Sequence, residues 1–236
     1  MPSSTPERAT AVEALAGELR DAVLTGRLAP GEPLREEEIA ARTGHSRHTV
    51  RAALARLVSE RLAESAAYRG VRVTRFDEAD IQALQQLRTA LESEAVRLLR
   101  DTHGRLWPAS VLARARTAID ALRRLEDDDW LAVAGAHAAV HRALVAAADS
   151  PRLLEAHDRL DSELLLLLVH VRPDYTVAGL VGEHEAYLER VQRDGARAVR
   201  RHLEHSTRLL VAAHHLRAIQ SSGERVVRAN ADTAGQ

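Results

Sequence analysis

The 236-residue chain is 45% hydrophobic and 28% charged, enough apolar material for one large domain or two ordinary ones and too much for a disordered segment. It has no cysteine, which excludes disulfides, thiolate nucleophiles and Cys-ligated metals and fits a reducing, cytoplasmic setting. Net charge is −1 and aromatics are only 3%, while Ala, Leu, Arg and Glu dominate, a composition that predicts a mainly α fold.

The polar start, Met1 to Thr10, lacks the apolar core of a secretory signal. Val12, Leu15, Leu19, Val23 and Leu24 then recur at spacings of three and four, predicting an amphipathic helix over 11–24. Gly26, Pro30, Gly31 and Pro33 stop it and shape a tight connection. A second helix is expected over Arg35 to Arg42, with Glu36, Glu37 and Glu38 in its first turn complementing the helix dipole, and Gly44 ends it. Ser46 is placed to cap a third helix whose buried face is Val50, Ala53, Leu54, Leu57 and Val58. Two helices joined by a short Gly-containing turn predict a helix-turn-helix. The alternation of Val71 and Val73 with Arg72 and Thr74 after a Gly turn predicts a small β wing.

From Asp77 the pattern changes to long helices with brief polar breaks, expected at Glu78 to Arg100, Pro108 to Glu126, Asp129 to Ala148, Pro151 to Val171, Thr176 to Arg193 and Gly195 to Gln220. Breaks of that length join antiparallel neighbours in an all-α bundle. The expected division is therefore a winged helix-turn-helix at 7–76, a linker at 77–80, a helical bundle at 81–220 and a frayed tail at 221–236. Asp127 to Asp129 reads as a polar loop and helix cap, and Leu164 to Leu168 as core or dimer surface. The longest apolar run, Leu164 to Val169, is too short to cross a bilayer, so no membrane partner is expected.

Charge is unevenly spread. All 33 basic residues are Arg, and Arg42 to Arg75 holds eight of them against Glu60 and Glu64. Such a segment is either a surface that meets phosphates or a solvated Arg-rich face. Arg47 and Arg51 sit four apart and project from one flank of the third helix while Val50, Leu54 and Leu57 anchor the other. A recognition helix meets base edges with its first residues, and Arg pairs bidentately with guanine, so these two are the candidate base readers. Ser46 and Thr49 suit phosphate oxygens or single base contacts, and Arg35 the backbone. Arg69 and Gly70, at the tip of the wing, allow close approach to a minor groove.

The stretch GELRDAVLTGRLAPGEPLREEEIAARTGHSRHTVRAALARL resembles the winged helix-turn-helix of GntR-type bacterial transcription regulators, with the pattern IR..I..G.L.PG..L.E..LA...G.SR.PVR.AL..L. The resemblance puts Arg35, Arg47, Thr49, Arg51, Arg69 and Gly70 on positions where that family contacts operator DNA. Thr49 stands where many members have Pro, and Ala52 where many have Glu.

Ten of the twelve histidines lie in the bundle region. His137 and His141, four apart, share a helix face with Val133, Val140 and Leu144, and two such imidazoles can chelate one ion; zinc or nickel suits a His-rich site without Cys. His184 lies on a later helix and His202 and His205 on the last, so a bundle can aim them at one point. The other reading is a set of separately hydrogen-bonded core or surface histidines.

Residues 81 to 215 also resemble the FCD ligand-binding domain of the FadR subfamily, through LRTALESEAVRLL, AVHRALVAAADSPRLL and GEHEAYLERV. The resemblance implies a metal held by His141 and His184, with His137 at a position usually Asp, and a late ligand that is His202 by the local R..HL pattern or His205 by spacing from Asp194. In such a pocket a divalent metal favours a small carboxylate effector, with Arg88 a second anchor unless it pairs with Glu92 one turn later. The expectation is a homodimeric repressor that binds double-stranded operator DNA and is released by effector. The alternatives are a metal-dependent hydrolase using Glu183 or Glu185 as base and a metal-free helical regulator or scaffold.

Overall fold

The structure, a computed structural model, describes the backbone of residues 5–66 and 70–234 and the side chains of 10–65 and 70–219. Helices α1 (Thr5–Leu24), α2 (Glu36–Thr43) and α3 (Arg47–Ser59) precede strands β1 (Ala63–Ala66) and β2 (Gly70–Val73). Then follow α4 (Glu78–His103), α5 (Ala113–Leu122), α6 (Trp130–Ala146), α7 (Pro151–Asp158), α8 (Asp161–Val171), α9 (Val177–Asp194) and α10 (Ala196–Ala234). Among the described residues the chain is mostly helical, with one small antiparallel sheet after the N-terminal helices. Contacts divide it into two compact units, one running up to Arg75 with Asp158–His170 added, the other formed by Phe76–His157 and the chain from Val171.

In the first unit Leu15, Leu19 and Val23 bury one face of α1 against α3, whose Val50, Ala53, Leu54 and Leu57 are all buried. Gly44 closes α2 at φ +72°, a left-handed backbone that favours glycine, and donates its N–H to Ala40 O at 3.0 Å. Ser46 caps α3 by accepting from Thr49 N at 3.1 Å. Arg20 on α1 grips Glu60 at the end of α3 through Nε and Nη2 at 2.8 and 2.7 Å. The wing pairs Ala63 with Val73 and Ala66 with Gly70. The Pro/Gly connection before α2 is more than a turn: Gly31 N donates to Val73 O, Leu34 N to Val71 O and Val73 N to Glu32 O, so β2 is bonded on both sides.

In the second unit α10 lies antiparallel to α4, since Arg100 Nη2 donates to Arg193 O just before α10 and His215 on α10 meets Glu78 at the start of α4. α5 packs on α6 and α9, and α6 also contacts α4 and α9. Residues 77–80, expected as linker, are the N-cap and first turn of α4: Asp77 accepts from Asp80 N at 2.9 Å while Asp80 accepts from Asp77 N at 3.0 Å. Two polar acids read as a break because a reciprocal cap uses the same residue types as a loop. The single helix expected over Pro151 to Val171 is two, α7 and α8, and the tail expected to fray from 221 is helical backbone to Ala234. Asp129 caps α6 and Asp127 accepts from Val177 N at 2.6 Å at the start of α9. Among the described residues no helix is long and apolar enough to cross a membrane.

Candidate nucleic-acid interface and metal centre

On the head, α3 presents Arg47 and Arg51 outward, with side chains 68% and 71% exposed, while Val50 and Leu54 on the opposite flank are buried. That follows from the helical period: an apolar face sunk into the core aims residues at 47 and 51 away from it. Ser46 and Thr49 hydroxyls lie 2.9 Å apart at the same helix start. Arg35 is exposed and pairs with Glu38 at 2.7 Å. Gly70 is exposed at φ +72°, with open space where a Cβ would stand, and Arg69 lies outside the described residues. The arginines are not bare. Glu36 accepts from Arg51 Nε and Nη2 at 2.9 and 2.8 Å, and Glu37 lies 3.0 Å from Arg47 Nη2.

The second unit gathers four histidines from three helices, all buried: His137 and His141 of α6, His184 of α9 and His202 of α10. Ligating nitrogens of the first three lie within 4.8 Å of one another. The His202 ring centroid is 5.2 Å from that of His141 and 5.1 Å from that of His184. His205 is exposed, so of the two late histidines expected as alternatives it is His202 that is buried beside His141 and His184. Residues three apart on a helix differ by about 60° in direction, enough here to separate core from solvent.

The orientation of the rings carries the chemistry. His141 Nδ1 lies 2.9 Å from Glu92 Oε2, and His184 Nδ1 lies 2.7 Å from Leu180 O, so each ring donates outward from Nδ1. Their Nε2 atoms then face each other at 3.0 Å as two lone pairs. His202 has its Nδ1 3.2 Å from Glu183 Oε1 without a hydrogen bond formed there, and its buried Nε2 lacks a partner as well. Burial, reinforced by neighbouring positive charge, pushes His137 and His141 well below the ordinary imidazole range and His184 down to about 4. Neutral rings with inward lone pairs are what a divalent cation needs from its ligands, and two nitrogens about 3 Å apart suit one ion bound at about 2.1 Å.

Behind the rings, Glu92 is fully buried. Burial alone raises its carboxyl, but the His141 ring and the Arg88 guanidinium at 2.7 Å outweigh that and hold it well below the usual range. Tyr187 Oη donates to it at 3.2 Å, and His157 Nε2 is 3.8 Å away. Arg88 is thus the buried partner of Glu92, and its charge acts on the His137, His141 and His184 rings. Sequence reasoning named the Arg88–Glu92 pair but missed that the same carboxylate orients His141; helical spacing shows i,i+4 partners and not contacts between helices. A cleft of about 440 Å³ lies elsewhere, between α5 and α9, lined among others by Arg116, Ile119, Arg123 and Gln192.

Comparison with known proteins matches residues 11–73 to the bacterial regulatory proteins of the gntR family and residues 83–208 to the FCD domain. The chain is 30% identical over 183 residues to a Paenarthrobacter nicotinovorans protein named a probable D-xylose utilization operon transcriptional repressor, covering 75% of this chain and 79% of that one. It is 31% identical over 147 residues to the HTH-type transcriptional repressor GlaR of Escherichia coli K12, covering 60% and 65%. Among solved structures, a GntR transcriptional regulator from Rhodococcus sp. RHA1 superposes with a TM-score of 0.68 at 25% identity, over 86% of this chain and 99% of that one.

Proposed function

Because the chain belongs to the gntR family of bacterial regulatory proteins and carries an FCD domain, it is a DNA-binding transcription regulator with a ligand-binding domain, and we propose that it is a homodimeric, cytoplasmic repressor released from its operator by a small carboxylate. The hydrolase alternative finds no support, since family and relatives are regulators. The domain division proposed is a DNA-reading head at 7–76 and an effector and dimerisation bundle at 81–220. Arg47 and Arg51 are the base readers, with Arg35, Ser46, Thr49 and the wing pair Arg69 and Gly70 on the DNA backbone and minor groove.

In the bundle, His137, His141, His184 and His202 would hold a divalent metal, zinc or nickel. The facing Nε2 atoms of His141 and His184 are the observation that carries this, because without a cation two buried lone pairs are pressed together. When bound, the ion supplies a positive centre with open positions for an anion. Glu92 fixes the His141 tautomer, Leu180 O that of His184, and Arg88 adds a fixed cation beside them. An effector that prefers one bundle conformation shifts operator affinity by the same coupling free energy by which DNA shifts its own binding. The test is titration of the purified chain with a panel of small carboxylates, followed by thermal shift and by release of bound duplex DNA. Effectors that stabilise the protein without changing DNA affinity would count against the coupling.

A further inference from the structure

The acidic opening of α2 stands beside the guanidinium groups that read DNA, and its three members are not equivalent. Glu37 and Glu38 each make a single contact, to Arg47 and Arg35, and are 73% and 64% exposed. Glu36 is 31% exposed and accepts two parallel hydrogen bonds from Arg51. A guanidinium has five N–H groups in one plane. Glu36 takes the edge formed by Nε and Nη2, which leaves the end edge, Nη1 and the second proton of Nη2, as a free two-donor fork. Such a fork matches guanine O6 and N7.

We propose that Glu36 is a positioning residue for sequence reading: it clamps the side edge of Arg51 and thereby turns the end edge outward toward guanine. This rests on the reading of α3 as the recognition helix. An unclamped Arg on an exposed helix samples many rotamers, and freezing them on contact opposes binding. The clamp removes that cost before DNA arrives and fixes the plane in which the fork can meet a base. It also has an opposing effect, because a carboxylate near the phosphates weakens attraction to any duplex. Glu36 therefore exchanges general affinity for discrimination, and this opposition of signs separates positioning from a simple charge effect or a structural role.

The experiment uses the full chain to select duplexes from a randomised pool, then measures binding to the selected duplex and to a scrambled duplex at one salt concentration. E36Q is expected to weaken the selected complex about tenfold and to leave the scrambled one unchanged or tighter. E36D, which keeps the charge on a shorter arm, should retain part of the discrimination. In an R51A background E36Q should have no further effect on the ratio. Equal shifts on both duplexes, or an E36Q effect that persists undiminished without Arg51, would overturn the proposal, and matched melting curves exclude misfolding as the cause. If the wild-type chain selects no sequence, the DNA-reading function falls with it. If R51A loses selectivity while E36Q keeps it, only the clamp falls.

Discussion

The Nε2 atoms of His141 and His184 face each other across 3.0 Å while their Nδ1 atoms are committed to Glu92 and to Leu180 O. Metal removal should therefore be felt by the whole bundle, since an ion that binds only the folded state stabilises it. The purified chain is expected to carry about one divalent ion, measured by elemental analysis, and a chelator to lower its melting temperature. His141→Ala and His184→Ala should lose the ion; unchanged metal content in both variants would refute the site.

Glu92→Gln keeps shape and removes charge, leaving the buried Arg88 guanidinium unneutralised. The expected destabilisation is about 3–5 kcal/mol in urea unfolding. Metal affinity should also fall about 10- to 100-fold, because the carboxylate that orients His141 is lost. A double replacement of Arg88 and Glu92 by Met and Leu should be less harmful than Glu92→Gln alone. Equal harm would mean that packing, and not the unpaired charge, sets the cost.

Arg47→Ala is expected to leave the melting temperature unchanged, because the side chain is largely solvent-exposed. Affinity for a selected duplex should drop about tenfold or more, with a smaller loss on random DNA. Equal losses on the two would assign Arg47 to phosphate rather than to a base.

Leu57→Ala tests the other side of the same helix. Leu57 is fully buried in the head, and its truncation should cost about 2–5 kcal/mol, lowering binding to every duplex alike once the head begins to unfold. A variant that folds stably yet loses only sequence preference would contradict the division of α3 into anchoring and reading faces.

Asp77→Ala removes half of a reciprocal cap at the start of α4. A loss of about 1 kcal/mol is expected. No change in stability would show that the first turn of α4 is held by packing instead.

Much of this is legible in the sequence. The faces of α1 and α3 follow from apolar residues at helical spacing, and Gly44 and Ser46 mark the turn between α2 and α3 because each residue type suits its backbone geometry. The approach of His137 and His141 follows from one helix turn. What escaped was whatever depends on contacts between elements. The leucine run of α8 is apolar on every side and has no phase to read, and the break at Arg159 and Leu160 contains neither Gly nor Pro. His202 and His205 have identical chemistry, and only the rotation of α10 against α4 and α9 sends one inward. The pairing of residues 31–34 with β2 uses backbone groups, which leave no signature in side-chain type.

That backbone pairing bears on how the wing survives in solvent. Facing away from β2, Glu32 N–H is already turned onto Ala29 O, and Pro33 has no N–H at all. A foreign strand approaching along this border would meet no row of donors to extend, so this edge of the sheet offers no template for strand addition by a neighbouring copy.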